Sequence, residues 1–276
     1  MDQGLVDERQ ERDGAGEAPG SRGLEGRTAL RCADGPAVVS FLAGEWRGHP
    51  RATSVRVEAG TPGEAAALLL RELPDWLVVT DDSLAAELAA AGATVQRRAH
   101  RYGWDLSLNP PDPAWLHPPL ALRPAAETPV DSLRELWLAA YAHGHPDRAR
   151  YERAEDGLAV LASLWQGELL GPVLPFSAVV VDDQGPAAAL AVHALESPWI
   201  TQIFRDPAPR GRGLGSALIR YALAAAATNG LHRLGASVTT DNVRSGRMFT
   251  RVGFRRLGDS VDLRLPAAPE HPAYPT

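Results

Sequence analysis

The chain has 276 residues, 45% of them hydrophobic, and a formal net charge of −6. This length suits one large or two small domains with packed cores, and the negative charge argues against nucleic acid as a partner. A single cysteine, Cys32, excludes an intramolecular disulfide bond and a cysteine-rich zinc site, and a bystander thiol is a simpler interpretation of it than a nucleophile.

The hydropathy pattern predicts a soluble, cytoplasmic protein without membrane contact. No apolar run approaches the roughly 18 residues of a membrane-spanning helix, and the polar N-terminus lacks the apolar segment of a signal peptide. All 28 basic residues are arginine and alanine is abundant, which suggests a GC-rich bacterial genome and says nothing about function.

Residues 1–28 are rich in glycine, glutamate, aspartate and arginine, and almost their only apolar side chains are Leu5, Val6 and Leu24. Too little apolar surface is available to offset the entropy that would be lost on ordering. We predict a disordered tail.

Residues 29–118 carry the signals of an N-terminal α/β domain. In chain order, the predicted elements are a strand at 54–58, a helix at 63–73, a strand at 76–79, a helix at 82–91 and a strand at 95–104. The proline-rich stretch 109–119 then predicts a stiff linker.

The spacing in this N-terminal part repeats the spacing of a segment near the C-terminus. Asp81 precedes Gly92 by eleven residues, as Asn242 precedes Gly253, and each pair follows a strand that ends in threonine. The repetition indicates a degenerate copy of part of one fold, while any β-α-β segment would give a similar pattern, and both interpretations stay open. The N-terminal part lacks a glycine-rich arginine turn, so we expect no cofactor there.

Residues 119–266 are predicted to form a second domain, followed by a tail at 267–276. Its predicted elements are a strand at 120–123, helices at 132–142 and 154–165, strands at 176–182, 187–194 and 199–204, a helix that begins near Leu214 and stops at Asn229-Gly230, a strand at 234–238, a helix opened by Asn242 and a last strand at 261–265. Asp131 is the predicted N-cap of the first of these helices.

The glycine-rich turn 210–215 joins the strand at 199–204 to the next helix. Strand, turn and helix N-terminus make an anion site, because backbone N–H groups point into the turn and the helix dipole adds about half a positive charge. Arg210 and Arg212 add charges suited to a pyrophosphate. The Walker loop is excluded because the sequence contains no lysine, and the dinucleotide fingerprint fits poorly because Ser216 stands where its third glycine belongs.

The pattern Arg-x-x-Gly-x-Gly, at Arg210, Gly213 and Gly215, resembles the pyrophosphate loop of the GNAT family of coenzyme A-dependent N-acetyltransferases. Downstream, Asn242 is followed by Phe249 and by Gly253-Phe254, a spacing that is also similar to this family. The resemblance implies an α/β (α+β) fold with a mixed twisted sheet flanked by helices, preceded here by the smaller α/β domain, which would be a degenerate GNAT half.

The resemblance implies direct acyl transfer from acetyl-CoA to an amine, and cofactor-binding roles for the matching residues. The backbone of the strand end would pair with the amides of the pantetheine arm, and the Phe204 N–H would stabilise the thioester oxyanion. Asn242 would contact the cofactor arm, cap its helix, or do both. The implied cofactor-binding residues are Ile203, Phe204, Arg205, Arg210, Gly211, Arg212, Gly213, Leu214, Gly215, Ser216, Asn242 and Phe249.

Phe249 departs from the family pattern, which often has a tyrosine there to protonate the departing thiolate. Phenylalanine cannot donate a proton. Ser245, water or another group would have to do so, or no acid is required.

The acceptor amine must lose a proton before or during attack. Glu196 and His193, at the end of the strand beside the cofactor strand, are the first candidates for the base, and His143 and His145 in the loop 143–151 are weaker ones. An ordered water is the alternative. The two loop histidines have no clear third ligand beside them, so we expect no metal.

Together these features predict an acetyl-CoA-dependent N-acetyltransferase that acts on a primary amine of a small molecule or of a protein N-terminus. The alternative is a non-catalytic acyl-CoA-binding sensor or scaffold, which Phe249 and the degenerate N-terminal half favour. The loop is equally compatible with a longer acyl chain. The sequence leaves the acceptor and a homodimer open.

Overall fold

Eleven strands form one mixed, twisted sheet flanked by six α-helices in the computed structural model, which describes residues 27–33, 35–148 and 151–268. This confirms the predicted fold class. The strands are β1 (Arg27–Arg31), β2 (Val38–Trp46), β3 (His49–Ala59), β4 (Leu77–Thr80), β5 (Thr94–Asp105), β6 (Leu122–Pro124), β7 (Ala178–Asp182), β8 (Gly185–Ala194), β9 (Pro198–Arg205), β10 (Arg233–Thr239) and β11 (Arg255–Arg264). The helices are α1 (Pro62–Glu72), α2 (Asp82–Ala90), α3 (Arg134–Ala140), α4 (Ala154–Trp165), α5 (Leu214–Thr228) and α6 (Val243–Val252). Within the described ranges no helix is both long and apolar enough to cross a membrane.

The two halves of the chain exchange strands within this sheet. The strand order is β1-β2-β3-β4-β11-β5-β10-β9-β8-β7-β6. The last strand, β11, pairs antiparallel with β4 and β5, and β5 also pairs antiparallel with β10. The boundary predicted between residues 118 and 119 therefore does not divide the sheet, because each half gives one strand to the other.

Three apolar cores pack on this sheet. The core under α1 and α2 includes Leu263 of β11, so the end of the chain completes the N-terminal half. In the C-terminal half, α5 and α6 cover one face of the strands and α3 and α4 cover the other. Because strand side chains alternate between faces, Leu190 of β8 lies in the first of these cores and Ala189 and Ala191 lie in the second.

The same element order occurs in both halves: three antiparallel strands, a helix, a strand parallel to the third, a second helix and a final strand. In both halves the parallel pairing extends over two residues, Arg51–Ala52 of β3 and Trp199–Ile200 of β9. Asp81 and Asn242 each cap the second helix through a side-chain oxygen. The shared topology is consistent with a degenerate copy, which stays a prediction.

Some boundaries differ from the predicted ones. β1 begins at Arg27, two residues inside the predicted tail, and residues 1–26 lie outside the described part of the chain. β2 carries no predicted element. Of the predicted C-terminal tail, 269–276 also lie outside the described part, and Pro266, just before it, accepts a hydrogen bond from the Asp75 N–H at 3.0 Å.

The first helix of the C-terminal half is shorter than predicted. It begins at Arg134, after a 3₁₀ turn over Val130–Leu133, and Asp131 is not its N-cap. The turn forms because the N–H and hydroxyl of Ser132 both donate to the Pro129 carbonyl, at 3.0 and 2.6 Å.

Candidate active site

A cavity opens where β9 and β10 diverge. The two strands pair at Trp199 and Ile200, and a β-bulge at Thr201 then turns β9 away. Beyond the bulge, the residues Ile203 to Arg205 line a cavity of about 840 Å³. The divergence exposes a strand edge of the kind that pairs with an extended, amide-bearing ligand.

One end of this cavity reaches the turn between β9 and α5. Gly213 adopts a left-handed backbone conformation (φ +82°) and is the N-cap of α5, with no side-chain cap. The first N–H groups of α5 are therefore open to an external acceptor, and the helix dipole favours an anion there. Gly213, Gly215 and Ser216 all line the cavity, and their role in binding a phosphate stays a prediction.

Arg210 has a different role from the predicted one. Its guanidinium donates to Asp206 (2.5 Å), to Asp182 (2.7 and 2.9 Å) and to the Pro186 carbonyl (3.2 Å), and the side chain does not line the cavity. The Ala208 N–H and then the Arg210 guanidinium hold the pKa of Asp206 below its ordinary value. Arg210 thus stabilises the turn without lining the cavity.

Gly211 and Leu214 are also absent from the cavity lining. A side-chain carbon at Gly211 would lie 2.0 Å from the Asp206 carbonyl oxygen, so the neighbouring backbone requires glycine there. Leu214 is buried in the core under α5.

The cavity is basic although the chain is acidic. Five arginines line the cavity, and the carboxylate of Asp241 lies among them: Arg205, Arg212, Arg244, Arg247 and Arg251. Such a field attracts a polyanion. Arg247 and Arg251 come from α6, one helical turn apart, which places both on the same face.

α6 brings three predicted residues to the cavity. Asn242 caps the helix by accepting from the Ser245 N–H at 3.1 Å, and its amide donates to Asp147 at 3.0 Å. Ser245 lines the cavity, as its predicted role as acid requires. Phe249 lines it too, but its ring is buried, stacked on Tyr102 at 5.8 Å between ring centroids.

The opposite end of the cavity contains residues that sequence reasoning did not single out. Asp147 accepts hydrogen bonds from Thr239 and Asn242 and so ties the loop after α3 to the start of α6. Arg97, from β5, donates to Thr239 at 3.0 Å. Asp147 lies within the loop 143–151, whereas Arg97 reaches the site only because of the strand exchange.

Tyr141 and His145 complete this end of the cavity. The two rings meet edge to face at 4.8 Å, and Tyr141 lies 3.5 Å from the Gln202 side-chain oxygen. Burial lowers the pKa of His145, partly offset by Asp147. The predicted candidate His143 is exposed and does not line the cavity.

Glu196 does not reach the cavity, which contradicts its predicted place as a base. It lies in the turn between β8 and β9 and is bound by Arg27 at 2.7 Å and by the Ser54 hydroxyl at 2.5 Å, both from the N-terminal half. The sequence could not reveal these partners, which are 169 and 142 residues away along the chain.

His193 is wholly buried (0% exposed) and does not line the cavity either. Its Nδ1 lies 2.7 Å from the Thr201 hydroxyl and its Nε2 lies 3.0 Å from the Leu164 carbonyl. Burial lowers the pKa of the ring, and the bond to the carbonyl raises it by less. Thr201 does line the cavity, so one hydroxyl separates His193 from it.

Burial of His193 and His145 predicts a pH-dependent stability. Because burial lowers both pKa values in the folded state, the unfolded chain binds more protons as the pH falls through the ordinary histidine pKa of about 6.5. We expect the free energy of unfolding, measured with urea, to fall between about pH 7.5 and 5.5. The fall should be smaller in His193→Gln and unchanged in the exposed His143→Gln. An equal fall in wild type and His193→Gln would contradict this.

Comparison with known proteins shows which family the C-terminal half resembles. Residues 130–254 match the model of the acetyltransferase (GNAT) family. The chain is 33% identical over 159 residues to a mycothiol acetyltransferase of Parafrankia sp. (strain EAN1pec), covering 52% of this chain and 49% of that one. It is 36% identical over 87 residues to an L-2,4-diaminobutyric acid acetyltransferase of Nocardia farcinica, covering 30% and 45%. The chain thus spans about half the length of these relatives.

Solved structures share the fold over both halves. A GCN5-related N-acetyltransferase from Sphaerobacter thermophilus has a TM-score of 0.53 and 17% identity, covering 84% of this chain and 82% of that one. One from Kribbella flavida has a TM-score of 0.50 and 18% identity, covering 89% and 91%. These likenesses show the same fold, and the family match places residues 130–254 in the acetyltransferase (GNAT) family.

Proposed function

We propose that the chain is an acetyl-CoA-dependent N-acetyltransferase, which transfers an acetyl group directly to the primary amine of a small molecule. The observation that carries this proposal is the continuity of one cavity. It runs from the α5 N-terminus, past the exposed edge of β9, to the acceptor end at Tyr141 and Asp147. Donor and acceptor can therefore be held in line without a covalent enzyme intermediate.

The residues of the cavity fit the parts of acetyl-CoA. The open amides at Gly213 and the guanidinium of Arg212 suit a pyrophosphate. The edge of β9 at Ile203 to Arg205 suits the pantetheine amides, which need partners when buried. When bound, acetyl-CoA would supply the activated acyl group, and the Phe204 N–H is our proposed donor to its carbonyl oxygen.

A small-molecule acceptor is favoured over a protein N-terminus. The two curated relatives are named for mycothiol and for L-2,4-diaminobutyric acid, both small molecules. In this chain the acceptor end is bounded by aromatic rings, those of Trp137, Tyr141 and Tyr151, with the carboxylate of Asp147 among them. A carboxylate and aromatic faces both attract an ammonium group.

The two arginines of the turn should respond differently to alanine. Arg212→Ala should weaken acetyl-CoA binding about tenfold, equivalent to about 1.4 kcal/mol, with the melting temperature unchanged, and high salt should shrink the difference. Arg210→Ala should lower the melting temperature, because Asp182 and Asp206 lose their shared cation. Calorimetry at two salt concentrations and thermal unfolding check both results. A stable Arg210→Ala protein with a salt-sensitive loss of affinity would give Arg210 the phosphate role instead.

A second candidate function, acyl-CoA binding without turnover, is favoured by Phe249. Its ring is packed between Tyr102 and Phe254 and brings no hydroxyl to the departing thiolate. Calorimetry with acetyl-CoA, combined with thiol release in the presence of a panel of primary amines, separates the two functions. Thiol release with any amine supports the enzyme; binding without release for every amine supports the second function. If thiol release survives Ser245→Ala, Ser245 is not the acid.

A further inference from the structure

The hydrogen bonds of His193 fix the protonation of its ring. A carbonyl oxygen only accepts, so the Nε2 that faces Leu164 must carry the hydrogen. In the neutral ring, Nδ1 then has a lone pair, and the Thr201 hydroxyl donates to it across 2.7 Å. The buried imidazole is therefore poised to accept a proton on the side that faces Thr201.

Thr201 connects this ring to the cavity. As the bulge residue of β9, it stands opposite no single residue of β8, and it lines the cavity beside Gln202. Bulges re-aim side chains in this way next to functional sites. With its hydrogen committed to His193, the hydroxyl oxygen can still accept a hydrogen from the cavity side.

We propose that Thr201 and His193 form the route by which the acceptor ammonium loses its proton. The N–H bond of the ammonium breaks as its proton passes to the Thr201 oxygen, while the proton already on that oxygen passes to Nδ1 of His193. The amine keeps its electron pair and becomes a nucleophile. The ring later returns the proton by the same path to solvent. This inference rests on the proposed function; Thr201 touches the substrate and His193 acts through it.

The structure also accommodates the charged ring. In the imidazolium both nitrogens donate: Nε2 still to the Leu164 carbonyl and Nδ1 now to the Thr201 oxygen. The Thr201 hydrogen can turn to the Ala191 carbonyl, 3.3 Å away. Each polar group keeps a partner in both states, which a buried charge requires.

The surroundings of the ring keep it neutral until it is used. α4 presents the Leu164 carbonyl, β9 presents the Thr201 hydroxyl, and the Val173 backbone pairs with His193 from a third side. Burial lowers the pKa of His193, and no charged side chain of the described residues contributes to that shift. At neutral pH the ring is therefore unprotonated and able to accept.

Thr201→Val tests the route because it removes the hydroxyl and keeps the branched shape. We expect kcat/KM for the amine to fall by about a hundredfold, within the usual range for general base catalysis, with acetyl-CoA affinity unchanged. Thr201→Ser should recover most of the activity. Thr228→Val is the matched control, since its hydroxyl donates to a backbone carbonyl at the end of α5, away from the cavity.

The pH dependence separates a proton route from a packing effect. The fall of kcat/KM on the acidic side should follow His193 in the wild type and change in Thr201→Val. Nitrogen–proton NMR of the ring, which needs no turnover, should show hydrogen on Nε2 and a titration altered by Thr201→Val. Wild-type activity and an unaltered acidic limb in Thr201→Val would overturn the route while leaving the proposed function intact. Acetyl-CoA binding without thiol release in the wild type would instead overturn the proposed function.

Discussion

Gly211→Ala should weaken acetyl-CoA binding by about tenfold to a hundredfold, although Gly211 does not touch the cavity. A methyl group here would lie 2.0 Å from the Asp206 carbonyl oxygen and 2.9 Å from its carbonyl carbon. Backbone atoms cannot swing aside as the end of a flexible side chain can. Relieving such overlap typically costs about 1–3 kcal/mol, and moving the turn also displaces the open amides at Gly213. Calorimetry with acetyl-CoA measures the loss.

Gly44→Ala is the matched control for this change. Gly44 lies in β2, its backbone is not left-handed, and an added methyl group would meet nothing within 4 Å. It should bind acetyl-CoA as the wild type does. If Gly211→Ala also bound acetyl-CoA normally, the turn would be more flexible than the structure shows. The proposal of a rigid anion site would then be wrong.

Leu263→Ala should lower the free energy of unfolding by about 2–5 kcal/mol, as expected when a buried leucine is truncated in a core that relaxes little. Leu263 is 0% exposed, and β11 places it in the core under α1 and α2. A C-terminal strand would thus be shown to stabilise the N-terminal half. Urea unfolding followed by circular dichroism measures the change.

Leu257→Ala provides the comparison within the same strand. Leu257 is 61% exposed, so its truncation should change the free energy of unfolding by no more than about 0.5 kcal/mol. Equal effects of the two truncations would mean that β11 does not hold the position between β4 and β5. The strand exchange would then be wrong.

Local patterns were sufficient to predict the helix ends and the turn beside the cavity. The stop at Gly230, the cap at Asn242 and the turn at Gly213 depend on glycine conformations and helix capping within a few residues, and each is where the sequence predicts it. These features are short-range, so the neighbouring residues in the sequence are enough to predict them.

The errors concern long-range partners. Glu196 and Arg210 are charged residues near the predicted site. Glu196 forms an ion pair with Arg27, and Arg210 forms ion pairs with Asp182 and Asp206. Spacing along the chain does not reveal which charge will find which partner in space.

The strand exchange is another long-range feature that local patterns did not predict, and it determines which residues form the acceptor end. The sequence predicts β5 as part of an N-terminal domain, yet this strand pairs with β10 and brings Arg97 to the cavity. No periodicity distinguishes a strand that completes its own sheet from one that completes a neighbour's. For this reason the linker at 109–119 predicted two separate units where the strands form one sheet.

A crystal structure of the complex with coenzyme A would show directly whether the start of α5 binds the pyrophosphate. We predict pyrophosphate oxygens at about 2.7–3.2 Å from backbone nitrogens at the start of α5, beside Gly213, with the thiol between the edge of β9 and Ser245. A coenzyme bound elsewhere, with the amides at Gly213 bonded to other protein atoms, would show that the start of α5 is not the pyrophosphate site.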